Sequence, residues 1–303
     1  MMLKMPFVQG CLLLIIRLRV GNSEFLYDKQ ERWHEKDPNC ADSIQSPIDI
    51  NSNNVQYSSE LGSLHLESGN ETTLYLQRTG DVYLGQFPED HHQSFLLFRG
   101  QRFRFSQFHF HFHKLPGHGG SQHTINGLRH DLELEFELVN TNGKAVWSSL
   151  YLCVFFAEMQ IAEENFIEKM LPYAFEMLVE EQVTVERHRV DIVSLLQKYA
   201  DLSMYVHYVG SRSMVNCQPN LPVVVLMKPL VVSHLELQRF KRLPLSSAGH
   251  NYRWTQNLNG RKVEKSYLDR LPETRREMNS FPCPHYSQHV LGVLMTFIFS
   301  LSL

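Results

Sequence analysis

The 303-residue chain is poor in the features that assign a protein quickly. It has no basic tract of the kind that grips nucleic acid and no acidic tail, and its formal net charge is only −3. Nucleic acid is therefore excluded as a partner, and a long charged disordered arm is excluded as an element. No internal repeat and no low-complexity linker interrupts the chain, so one domain is expected over residues 25–271. Cysteines are few, five in all. No apolar run is long enough to cross a bilayer, which takes ~20 residues. An ordinary apolar content of 43% remains, enough for a sizeable core.

The two ends carry short apolar segments instead. "CLLLII" (Cys11–Ile16) follows Lys4 and resembles a secretory leader, expected over residues 1–20, although Arg17 and Arg19 follow the apolar run. Val290–Leu303 is uncharged and is preceded by a polar spacer, 272–289, with small residues at Asn279 and Ser280. That order is the layout of a signal for a lipid (GPI) anchor, which predicts attachment at Ser280 or Asn279 on the outer face of the plasma membrane. Cys40 and Cys217 both sit among turn residues and form the natural disulfide pair in an oxidising compartment, whereas Cys153 lies in an apolar strand. Asn70-Glu71-Thr72 is an acceptor for N-glycosylation in the same compartment.

Between the ends, short alternating runs are separated by Gly, Pro, Asn and Asp, which predicts strands. They fall at Leu64–Leu66, Thr73–Arg78, Phe95–Phe98, Ser106–His113, Leu132–Asn140, Ser149–Met159, Met204–Tyr208 and Pro222–Leu226. Helical spacing is local: "NFIEKMLPYAFEML", "DIVSLLQKYA" and a segment opened by Ser233 as N-cap. The basic stretch "QRFKRLP" reads as the solvated face of that last helix. The expected class is α/β, rich in strand, with one large twisted sheet and peripheral helices.

Two runs stand out, "FHFHFHK" (Phe108–Lys114) and "LELEFEL" (Leu132–Leu138). Side chains alternate faces along a strand, so His109, His111 and His113 share one face and the phenylalanines the other. Glu133, Glu135 and Glu137 share a face of the second strand, and His130 faces away if that strand is continuous. Two imidazoles two residues apart on a strand can chelate zinc, at ~2.0–2.1 Å. A merely solvated or hydrogen-bonded histidine face fits the spacing equally well.

Four further segments bear on that choice: "CADSIQSPIDI" (Cys40–Ile50), "QFHFHF" (Gln107–Phe112), "GSQHTINGL" (Gly120–Leu128) and "NYRWTQNLNGRKV" (Asn251–Val263). In this order they resemble the signatures of the α-carbonic anhydrases, over Tyr27 to Val263. The resemblance implies a large, mostly antiparallel central sheet and a cleft with zinc (Zn2+) on three histidines. It implies reversible hydration of carbon dioxide to bicarbonate by a metal-bound hydroxide, the metal lowering the pKa of its water to ~7. His109 and His111 take the first two ligand positions, with Gln107, Glu133 and His123 around them.

The chain then departs from the pattern. Glu135 stands where the third histidine ligand is expected. Such a His₂Glu set occurs in other zinc enzymes, but a carboxylate cancels metal charge and makes the bound water less acidic. Glu137 replaces a pocket valine. Ser213 takes the gatekeeper threonine position, and its carboxylate partner has become Gln122, a weaker acceptor for orienting that hydroxyl. Arg212 replaces an apolar cleft residue. Tyr151 and Val223 take the positions of a small valine and a tryptophan in the carbon dioxide pocket, which Tyr151 overfills. Asn70 takes the proton-shuttle position and cannot carry a proton near neutral pH. His113 falls on a glycine position, either as a solvent-facing imidazole or as an alternative ligand, and His118 lies in a loop where a one-residue insertion is needed.

The expectation is a cell-surface carbonic anhydrase-related protein with a degenerate zinc site, little or no carbon dioxide hydration, and a binding role toward an extracellular partner. The alternative is an active zinc carbonate dehydratase of reduced efficiency. A zinc hydrolase of another substrate, with Glu137 as general base, is a third reading.

Overall fold

The structure, a computed structural model, describes residues 27–69, 71–88, 94–142, 145–160, 165–171, 184–214, 216–245 and 248–268. Asn70, the leader, the spacer with Asn279 and Ser280, the apolar tail and the second half of the helix expected at 165–178 lie outside the described residues. Two compact units divide the chain, Met1–Tyr267 and Leu268–Leu303.

Among the described residues the strands are β1 (Asp49–Ile50), β2 (Gln56–Tyr57), β3 (His65–Glu67), β4 (Thr72–Thr79), β5 (Val82–Gln86), β6 (Phe95–Phe98), β7 (Gln101–Phe112), β8 (Thr124–Ile125), β9 (Leu132–Asn140), β10 (Ser149–Met159), β11 (Thr184–Val190), β12 (Tyr205–Ser211), β13 (Pro219–Ser233) and β14 (Glu264–Lys265). The helices are α1 (Trp33–Lys36), α2 (Phe166–Met170), α3 (Ile192–Tyr199) and α4 (His234–Arg242). Twelve strands form one sheet in the order β11-β4-β5-β7-β9-β10-β13-β12-β14-β2, with β6 also on β7 and β3 on β6. The sheet is mixed. Most pairs are antiparallel, but β10 runs parallel to β13 and β14 parallel to β2. A parallel pair cannot be closed by a tight turn, so the long excursion from β10 to β13 carries the described α2, β11, α3 and β12.

Alternation produces two chemically different faces. On one, Phe108, Phe110 and Phe112 pack with Leu132, Leu134, Phe136, Leu152, Val154, Val224 and the buried residues of α3 and α4 into the main core. Phe240 of α4 meets the rings of Phe110 and Phe112 at 4.9 and 5.7 Å. Ser233 caps α4 in a reciprocal capping box with Glu236. Gly85 on β5 lies directly opposite Phe108. A Cβ there would come within 1.9 Å of the Phe108 ring, so only glycine lets this ring lie flat across β5.

The opposite face carries the polar rows. Cross-strand register aligns Gln107, Glu137, Tyr151, Val223 and Tyr208 in one row across β7, β9, β10, β13 and β12. The next row is His109, Glu135, Cys153, Val225 and Val206, and the third is His111, Glu133 and Phe155. Directly opposed residues share a face, so the histidines of β7 and the glutamates of β9 are brought together by pairing alone. The disulfide joins Cys40 to Cys217, and Cys153 is a free, buried thiol. Among the described residues no helix is long and apolar enough to cross a membrane.

Candidate metal centre

His109, His111 and Glu135 are buried side by side, 6%, 1% and 1% exposed. Asn251 anchors the histidine strand. Its side chain bridges the backbone of Phe110 and Phe112, donating to one carbonyl and accepting from one N–H, both at 2.8 Å. The backbone carbonyl of Asn251 lies 2.8 Å from His111 Nδ1. A carbonyl can only accept, so His111 carries its proton on Nδ1 and presents a lone pair on Nε2, the tautomer that suits a metal ligand.

That lone pair already has a partner. Gln122 Nε2 lies 2.9 Å from His111 Nε2, 3.1 Å from Glu135 Oε2 and 3.0 Å from Ser213 Oγ. The orientation of the Gln122 amide is set by its other end, where Oε1 accepts the backbone N–H of Arg253 at 3.0 Å. Ser213 directs its own proton to Glu135 Oε2 at 2.7 Å. The sequence reading of Gln122 as a weak acceptor for the Ser213 hydroxyl is therefore corrected. The amide turns its nitrogen to this cluster and donates, because two acceptors, an imidazole lone pair and a carboxylate, wait there.

His109 is placed differently. Its Nδ1 is buried with no hydrogen-bond partner. Burial first, then the neighbouring His111 and Arg212, push its pKa down to about 3. Gln107, expected from the resemblance to stand around the ligands, gives its amide to Glu137 Oε2 at 2.5 Å instead. Arg212 bonds the other oxygen of Glu137 and donates Nε to the Tyr151 hydroxyl at 2.9 Å. Burial works against the Arg212 cation, but Tyr151 and Glu137 outweigh it and hold its pKa above the usual value. Burial and Glu137 push the Tyr151 phenol well up. Val223 lies beside Tyr151 in an apolar cluster with Cys153 and Phe155.

Beneath the histidines lies a second buried network. Glu133 takes His123 Nδ1 at 2.7 Å and the His123 backbone N–H at 2.8 Å. His123 Nε2 lies 2.7 Å from the Tyr208 hydroxyl, itself 2.8 Å from Ser46 Oγ. Burial would raise the Glu133 carboxyl, but the pull of His123 and the bonds from it hold its pKa below the usual range. His123, Glu133 and Cys153 also place donor atoms within 4.8 Å of one another, a grouping of metal-ligating types. Both ring nitrogens of His123 are already engaged. The Cys153 thiol is pushed well up by burial and by Glu133 and Glu135, so the group holds a thiol rather than the thiolate a metal needs.

The residues His109, His111 and Glu135 do not fit a three-ligand zinc centre as they stand. One edge suits it: His111 Nε2 and Glu135 Oε2 lie 3.4 Å apart, about the separation of two ligands on a tetrahedral zinc. The third corner is not matched in the same way: among the described residues, the group of three ligating side chains whose donor atoms lie within 4.8 Å of one another is His123, Glu133 and Cys153, not this set. The Glu135 oxygen facing His111 accepts from both Ser213 and Gln122, and His109 lacks the outer partner that a ligating imidazole ordinarily has.

Two further expectations change. His113 is buried rather than solvent-facing. It stacks between His118 and His250 at 4.7 and 5.9 Å, and its Nδ1 accepts the Leu115 N–H. His250 in turn stacks on Tyr252 at 4.0 Å. His130 precedes β9, so strand parity does not govern it; its ring packs on Phe155, which shares the Glu133 face. Asn251 and Arg253 went unassigned individually in the sequence, although the segment "NYRWTQNLNGRKV" contains both.

A family model described as eukaryotic-type carbonic anhydrase matches residues 28–267. The chain belongs to that family. It is 25% identical to carbonic anhydrase 6 of Bos taurus, over 79% of this chain and 78% of the relative. It is likewise 25% identical to carbonic anhydrase 15 of Mus musculus, over 95% and 97%.

Proposed function

We propose that this protein is a carbonic anhydrase-related member with a degenerate zinc site, little or no carbon dioxide hydration, and a retained scaffold that serves binding outside the cell. The observation that carries the reading is the Gln122 amide. Its nitrogen lies against the lone pair of His111 and against Glu135, and the Ser213 hydroxyl turns to the same carboxylate. Around His111, Glu135 and Ser213 the polar groups satisfy one another where a cation and its bound oxygen would otherwise be needed. Loss of one positioned donor costs about 10²–10³ in rate; here the ligand set, the hydroxyl's orientation and the Tyr151–Arg212 side of the site all depart at once. The disulfide supports an oxidising, extracellular setting. With it go the leader, the Asn70 sequon and the lipid anchor at Asn279 or Ser280.

One observation favours the alternative, a zinc carbonate dehydratase of reduced efficiency acting on carbon dioxide and bicarbonate: the 3.4 Å edge between His111 and Glu135. Zinc analysis and stopped-flow hydration on the full chain from a secretory host decide between them. Zinc well below one per chain, with hydration at the uncatalysed rate, is expected. Stoichiometric zinc, with turnover that disappears in His111→Ala, would establish the dehydratase instead.

A further inference from the structure

The unpartnered nitrogen of His109 has an identifiable cause. Gln107 lies two residues back on the same face of β7, the position from which a side-chain amide oxygen can reach a histidine Nδ1–H. Gln107 is held elsewhere. Glu137 is its directly opposed neighbour on β9, and the carboxylate draws the amide nitrogen to 2.5 Å. The carboxylate is itself fixed at its other oxygen by Arg212, which Tyr151 steadies. A metal-ligating imidazole ordinarily gives its second N–H to an oxygen, and loss of that partner costs about 10–100-fold in metal affinity.

We propose that Glu137 is a second block on the metal site, separate from Glu135: by holding the Gln107 amide it strips His109 of its outer hydrogen bond and disables that imidazole as a ligand. The inference rests on the degenerate-site reading and deepens it. Restoring an imidazole at position 135 leaves the site impaired until position 137 releases Gln107. Glu137 acts through Gln107 and is thus a positioning residue.

The test is zinc affinity, read by competition with a chromophoric chelator, on the full chain. Glu135→His is compared with Glu135→His/Glu137→Val/Arg212→Leu, in which no guanidinium is stranded, each with and without Gln107→Leu. Releasing position 137 is expected to raise affinity about 10–100-fold. Gln107→Leu should remove that gain in the released variant and leave Glu135→His alone unchanged, a dependence that a merely structural role of Glu137 would not produce. Equal affinities with and without Glu137, or a gain that survives Gln107→Leu, overturns the proposal. Thermal melts check that each variant folds. Where the Val/Leu pair does not, Glu137→Gln keeps the size and removes the charge-assisted grip; a smaller gain is expected, and no gain overturns. The broader reading fails separately, if the native chain carries stoichiometric zinc.

Discussion

The His111 half and the His109 half of the site sit on the same strand, two residues apart, and differ in how their polar atoms are served. Around His111 the ring nitrogens meet Asn251 and Gln122, and the network below it runs unbroken through Glu133, His123, Tyr208 and Ser46. Around His109 the neighbouring row is rewired into a chain from Gln107 through Glu137 and Arg212 to Tyr151, and Nδ1 is left over. On the function proposed above, the contrast is that of a site dismantled in one row while the network beneath it stays intact. The buried network through Glu133, His123, Tyr208 and Ser46 joins separate segments of the chain, so its loss is expected to cost more stability than loss of the Gln107–Glu137 contact.

Glu133→Ala breaks the intact half most severely. It leaves the buried ring N–H and backbone N–H of His123 without their acceptor, and a loss of about 1–3 kcal/mol for each is expected from urea unfolding. Gln107→Ala in the rewired half should cost only about 1 kcal/mol in the same assay. Equal losses would erase the distinction between the halves.

Gln122→Glu sharpens the contrast from the other side. The amide that caps His111 becomes an acceptor beside Glu135, with two carboxylates facing each other in a dry site. The metal-free protein is expected to lose about 1–3 kcal/mol. Added Zn2+ should then raise Tm in this variant more than in the native chain, because a ligand that binds only the folded state stabilises it.

The smallest effect is on pH. His207 and His250 both sit at about 4 rather than 6.5. Burial disfavours the imidazolium at each, assisted by Arg99 at His207 and by His113 and Arg129 at His250. Below pH ~6.5 the unfolded chain then binds more protons than the folded one. Stability should fall as pH drops from ~6.5 toward ~4 and be unaffected by these groups above that window. Tm measured across the window checks this, and His207→Phe should flatten the fall more than His250→Phe, since His250 is the more open of the two. These histidines lie off the ligand row, so neither substitution should alter zinc binding.

Much of the architecture was legible in local pattern. β9 and β10 have the predicted bounds, and Ser233 caps α4 as expected. The Phe/His alternation divides β7 between core and site. β7 and β13 run longer than their apolar cores suggest, because "QRFRF" and "KPLVV" pair through the backbone whatever their hydrophobicity. β5 was missed: Gly85 weakens its strand signal, yet its reason is a tertiary one, the Phe108 ring across it. The stack of His113 on His250 joins residues far apart in the chain and left no local trace.

By itself the sequence determined which residues share a face, since strand parity needs only the order of side chains. That put His109 and His111 on one face of their strand and Glu133, Glu135 and Glu137 on one face of theirs; the Cys40–Cys217 pair came from the turn contexts of the two cysteines, and the ligand position of Glu135 from the family resemblance. Only the tertiary structure decided where each polar group sends its hydrogen bonds: Gln122 to His111 and Glu135, Gln107 to Glu137, the Ser213 proton to Glu135. A donor chooses among acceptors by distance and angle, and those are set by cross-strand register and by segments such as that of Ser213, 91 residues from Gln122.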